Sequence, residues 1–171
     1  MSHQEITLDQ VLTQRREASH EIVNVDEPTT KLVIFELHGD WFAFHSEKIR
    51  EILSHVDVFF VPGCPTSLEG VINVRGDIES VIALNELLQL PETADNSSSS
   101  YLLGHGAGMS SGIRVDKVVD VVDVPLGDIH EPPGTLPEHL RASVSGILQF
   151  NEKPVTVLDL DRIFADFSQR L

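Results

Sequence analysis

With 171 residues, 41% of them hydrophobic and 23% charged, the chain is long enough and apolar enough to bury a core of its own, which argues against disorder throughout. Twelve Lys and Arg face 27 Asp and Glu, and the net charge of −15 repels polyanions, disfavouring general nucleic-acid binding and docking on anionic membranes. The single cysteine, Cys64, leaves no intramolecular disulfide.

Met1 to Glu5 has neither a basic leader nor an apolar core, so no secretory signal is expected. Residues 1–30 read as an N-terminal extension. In it, Ile6, Leu8, Val11 and Leu12 have approximately helical spacing, Thr7 is placed to cap a short helix, and Asp26 to Thr30 ends a linker. The body spans residues 31–167. Leu32 to Leu37 and Trp41 to Phe44 read as strands around a His38-Gly39-Asp40 turn. Ser46 reads as the N-cap of a short helix, Glu47 to Leu53, with Ile49, Ile52 and Leu53 on one face. The run from Val56 to Pro65, broken by Asp57, is the longest apolar stretch and is far short of the ~20 residues of a bilayer span, so a soluble chain is expected. Pro62-Gly63-Cys64-Pro65 forces a loop.

Leu68 to Ile82 reads as two short strands meeting at Arg75-Gly76-Asp77, and Asn85 to Leu90 as a helical turn closed by Pro91. Ala94 to Ser100 is a polar, serine-rich connection. Tyr101 to Leu103 is a weak strand, after which Gly104, Gly106, Gly108 and Gly112 interrupt the pattern. Ile113 to Val122 alternates like one half-buried strand, and Pro125 to Pro137 is rich in turn formers. Val144 to Phe150 and Val155 to Leu160 form a hairpin around Asn151-Glu152-Lys153, and Asp161 to Phe167 is a closing helix. The second half repeats the style of the first without an exact repeat. Roughly ten short strands with frequent turns define an all-β chain, a barrel or sandwich with short helices.

Catalytic chemistry finds little support. Gly-His-Gly-Ala-Gly from Gly104 has no helix start after it and no Gly-Lys-Ser/Thr, so a hairpin is the expectation and not a phosphate loop. His38, His45 and His55 lack the close paired spacing of common zinc sites, and no His-Glu-x-x-His or Gly-x-Ser-x-Gly occurs. No catalytic residue, metal ligand or cofactor is therefore assigned. A small metal- or nucleotide-dependent enzyme stands as the alternative of another class, motivated by the eight histidines and by those glycines.

From Leu32 to about Phe164 the chain resembles the CheW-like domain family. The match is most specific in Val61-Pro62-Gly63-Cys64-Pro65 followed by Gly70-Val71-Ile72-Asn73-Val74-Arg75-Gly76, and it continues in order through Gly112 to Val118 and Val157 to Ile163. The resemblance implies two intertwined, five-stranded SH3-like β-barrels and a non-catalytic, cytoplasmic adaptor without cofactors. Such an adaptor couples the cytoplasmic tip of a methyl-accepting chemotaxis receptor to the regulatory domain of a chemotaxis histidine kinase in a two-component pathway. Carried over by resemblance, Asn73, Val74, Arg75 and Gly76 fall in the receptor-binding region and Glu51 takes the place associated with coupling. The chain departs from the family pattern with Ser80 for a proline, Ala83 for an aspartate, Asn85 for an arginine, and Arg114 where an aliphatic residue is usual. The departures at Ser80, Ala83 and Asn85 motivate a second expectation: a variant module serving surface motility or second-messenger control and binding one partner only.

Overall fold

The computed structural model describes residues 27–91 and 98–170. The helix expected near Thr7 and the connection at 94–97 lie outside the described residues. The apolar run Leu32-Val33-Ile34-Phe35 does not alternate because both faces of its strand are covered. From β1 (Thr29–Leu37), Leu32 and Ile34 point into one core with Ala43, Leu148, Val155 and Val157. Val33, Phe35 and Leu37 join a second core with Phe42, Phe44, Ile82, Leu102, Ile113 and Phe164. A third, smaller core holds Ile72, Val81, Tyr101 and Leu103.

These three cores follow from the topology. Lobe one is a five-stranded sheet of β1, β2 (Asp40–His45), β8 (Lys117–Pro125), β9 (Val144–Phe150) and β10 (Lys153–Leu158), in the order β8-β1-β2-β10-β9. Lobe two contains β3 (Ile49–Ser54), β4 (Leu68–Val74), β5 (Asp77–Ile82), β6 (Ser100–Gly106) and β7 (Met109–Val115), in the order β3-β6-β7-β5-β4. Each lobe has its own interior, and the central core lies between them. The chain leaves lobe one after β2, completes lobe two, and returns at β8, so the lobes are interleaved in sequence. Among the described residues the short α-helices are α1 (Leu84–Leu87), α2 (Glu138–Arg141) and α3 (Leu160–Gln169). Asp159 caps α3 by accepting the Arg162 N–H at 3.2 Å, and Leu160, Ile163, Phe164 and Phe167 form its buried stripe.

The second half does repeat the first, at the level of topology. Taken as β8-β9-β10-β1-β2, lobe one has the same strand order as β3-β4-β5-β6-β7 of lobe two. In both, the third and fifth strands pair in parallel, β10 with β2 and β5 with β7. In both, the segment after the first strand makes one isolated bridge to the second, Phe59 with Val71 and His130 with Ile147. A side chain at Gly70 or at Gly146 would collide with that bridging segment, at the Phe59 carbonyl or the Ile129 side chain.

Three expectations are corrected. Ile49 to Leu53 is a strand, and only Ser46–Lys48 is helical, a 3-10 turn without a side-chain cap. Ile49, Glu51 and Leu53 turn inward while Arg50, Ile52 and Ser54 are exposed, the period of two that pairing with β6 imposes. The glycines do not break the chain: β6 runs through Gly104 and Gly106 and turns at Ala107-Gly108 into β7, because α3 needs their space. Ile113 to Val122 is two strands, since the chain crosses between lobes at Asp116, whose N–H donates to the Glu36 carbonyl at 2.9 Å.

Candidate protein-docking site

The β4–β5 hairpin is paired from Leu68 opposite Ile82 to Val74 opposite Asp77, which leaves Arg75 and Gly76 as the two central turn residues. Both have positive φ, 52° and 93°, the geometry whose twist matches a two-residue hairpin. Arg75 tolerates it because Asn73 supports the turn, its Oδ1 accepting the Gly76 N–H at 2.8 Å. Asn73 is thus a turn-shaping residue, and Val74 packs partly on the lobe-two core. The guanidinium of Arg75 is held out from the tip with its side chain 75% exposed.

Its partner is Glu51, in an ion pair that joins β3 to the β4–β5 turn. β3 and β4 are the opposite edges of the lobe-two sheet, so this contact helps close the sheet on itself. Arg50 and Glu79 repeat the tie at 3.0 Å. The two site assignments made separately by resemblance, Arg75 and Glu51, therefore meet in one pair.

Lobe two also exposes apolar side chains. Ile78, opposite Asn73 on the neighbouring strand and so on the same face, is 65% exposed, and Phe60 is 75% exposed. Phe59 and Ile52 are exposed as well. Sequence reasoning passed over these residues. The available signal was the unbroken run Val58-Phe59-Phe60-Val61 against a proline-glycine loop, which a single irregular segment cannot bury on all sides. Exposed aromatic and aliphatic side chains and an exposed arginine on one lobe are what a protein-binding surface offers.

The departures from the family pattern are absorbed inside the fold. Ser80 Oγ lies 2.8 Å from the Oγ of buried Ser111, and Ala83 and Asn85 are buried. Arg114 pairs with Glu69 at 3.0 Å, both side chains largely covered. Beside them burial pushes the Tyr101 phenol above its ordinary pKa; Glu69 adds to the rise and Arg114 opposes it. Among the described residues no three His, Cys, Asp or Glu side chains are placed to hold a metal ion. His45 Nδ1 shares a hydrogen bond with Thr30 Oγ1 at 3.0 Å. Gly104 to Gly108 forms a hairpin followed by a strand, so it offers no helix N-terminus to a phosphate. No described helix is long and apolar enough to cross a membrane.

Two SH3-like lobes with an exposed arginine hairpin and exposed apolar side chains define a binding module. The chain belongs to the CheW-like domain family, whose model matches residues 31–168. It is 26% identical over 145 residues to "Chemotaxis protein CheW" of Treponema pallidum, covering 82% of this chain and 85% of that protein. Against the Bacillus subtilis protein of the same name the identity is 24% over 133 residues, covering 78% and 85%. Among solved structures, the scaffolding protein TtCheW from Thermoanaerobacter tengcongensis superposes with a TM-score of 0.71 at 26% identity, over 80% of this chain and 93% of that one. The chain is accordingly of the non-catalytic, chemotaxis scaffold class.

Proposed function

We propose that this protein is a cytoplasmic adaptor that couples the signalling tip of a methyl-accepting chemotaxis receptor to the regulatory domain of a chemotaxis histidine kinase, with the residues ahead of β1, which starts at Thr29, as an extension outside the binding body. The observation that carries the reading is the Arg75 hairpin, whose hydrogen-bonded turn holds out a 75% exposed guanidinium on the same hairpin as exposed Ile78. A planar guanidinium on a fixed turn suits carboxylates and backbone carbonyls at a helical tip, and the exposed apolar side chains of the lobe suit the tip's buried stripe. Asn73, Val74 and Gly76 shape and support the turn, and Glu51 holds Arg75 in place until a partner competes for it. A net charge of −15 favours partners with basic patches over acidic ones.

Ala83 and Asn85 are buried and half-buried Ser80 turns its hydroxyl to Ser111, so their departure from the family pattern carries no argument for a different partner. Reconstitution tests the reading. Receptor signalling fragments, the kinase and this protein are combined and phosphotransfer is followed. Receptor-dependent change in kinase activity that needs this protein is the expected result. Binding to one partner alone, without any effect on the kinase, would instead favour the one-partner module.

A further inference from the structure

α3 leaves lobe one after β10 but packs on β6 of lobe two, and one carboxylate in its first turn ties it there. Asp161 Oδ2 lies 3.0 Å from Lys48 Nζ, in the 3-10 turn that carries the chain from β2 to β3. The other oxygen, Oδ1, accepts the Ala107 N–H at 3.0 Å, at the tip of the β6–β7 hairpin. A single side chain anchored at the end of lobe one thus touches both the crossover between lobes and the far tip of lobe two.

The seat is shaped for it. Glycine weakens a strand interior, yet β6 has two. A Cβ on Gly106 would collide with Asp161 Oδ1, and one on Gly104 would come within 2.7 Å of Leu160 Cδ2. The hydrogen bond between them raises the Lys48 pKa and lowers that of Asp161, so the pair is charged across the neutral range. The other crossover is tied in the same way. Asp116, between β7 and β8, accepts the His38 N–H at 2.8 Å. His38 and Ala107 occupy equivalent turn positions of the two lobes, with φ of 53° and 50°.

The central core is apolar, and hydrophobic burial is non-directional. It decides that the lobes meet but constrains their angle less than directional bonds do. We propose that Asp161, acting through Lys48 and the Ala107 N–H, is a positioning residue that braces the angle between the two lobes and hence the relative placement of partners carried on them. The consequence for partners rests on the adaptor reading; the brace itself does not.

The test uses the full chain with Cys64→Ser and paired spin labels on cysteines replacing Asp123 in lobe one and Asp77 in lobe two, both exposed. Distance distributions are compared for the parent, Lys48→Met, Asp161→Asn and Gly106→Ala, the last displacing the carboxylate without removing a charge. All three variants are expected to stay folded by circular dichroism and to broaden or shift the distribution. In unlabelled protein, binary affinities for receptor tip and kinase should hold while assembly of the three-component complex weakens about tenfold, the usual size of a coupling between sites. Distributions that superpose on the parent's in Lys48→Met and Asp161→Asn overturn the proposal, as does equal loss of binary and three-component binding. Failure of the parent to bind either partner would sink the adaptor reading alone, since the label distances still decide the brace.

Discussion

Reversing the charge at Arg75 separates docking from folding. In Arg75→Glu the guanidinium is lost and a carboxylate faces Glu51. The pair it removes is exposed, 75% on the arginine side, so solvent screening limits its worth to the fold to under about 1 kcal/mol. For a chain of this size that is a fall of at most ~4 °C in melting temperature. At a partner surface the same group is desolvated, and losing a charged hydrogen-bonding donor there costs ~1–3 kcal/mol, about 5- to 140-fold in affinity. Circular dichroism melting and calorimetric titration of a receptor signalling fragment measure the two effects on one preparation. Arg75→Ala should show the same split in milder form. Unchanged receptor affinity in the folded charge-reversal variant refutes the role of this hairpin, and a collapse of the fold refutes the screening argument.

Phe164 is fully buried in the core between the lobes, so Phe164→Ala should cost ~3–5 kcal/mol in urea unfolding, far more than any change at the docking hairpin. Glu69→Gln leaves Arg114 covered without its carboxylate and should cost ~1–3 kcal/mol by the same measurement. Because the chain has one tyrosine, ultraviolet titration reads Tyr101 alone, and its titration midpoint should lie above the ordinary 10.0 and move down in Glu69→Gln. A raised phenol pKa means the folded state retains a proton that the unfolded state gives up, so the associated stability is present below pH 10.0 and is lost as pH rises through the folded value. Gly70→Ala forces a Cβ against the Phe59 carbonyl and should cost ~1–3 kcal/mol, whereas a Cβ at Gly39 meets no neighbouring atom, so any cost of Gly39→Ala comes from its backbone angle alone.

Much of the architecture was legible because it rests on local chemistry. The Arg75-Gly76 and Asn151-Glu152 turns fall where runs of strand-forming residues meet polar, turn-forming ones, and both adopt positive φ. The stretch from Ile49 to Leu53 failed because its pattern fits two periods at once. Ile49, Ile52 and Leu53 suit a helix face, and Ile49, Glu51 and Leu53 suit a strand. Pairing with β6, about fifty residues away, breaks the tie. The repeat was hidden because the lobes begin at different points of the same strand cycle and share shape more than residue identity.

Composition, alternation and turn residues were enough to determine an all-β chain of about ten strands and the hairpins at Arg75 and Asn151, since each depends on neighbours within a few positions, while the family resemblance was carried by the ordered motifs from Val61 to Gly76 and beyond. Only the tertiary structure decided that Glu51 meets Arg75 across 24 residues of sequence, that Gly104 and Gly106 make room for α3, and that Phe59, Phe60 and Ile78 stay exposed. The reason is physical: which side chains are left outside, and which charges pair across a closing sheet, depends on where the two lobes press together, and no local run of residues encodes that contact.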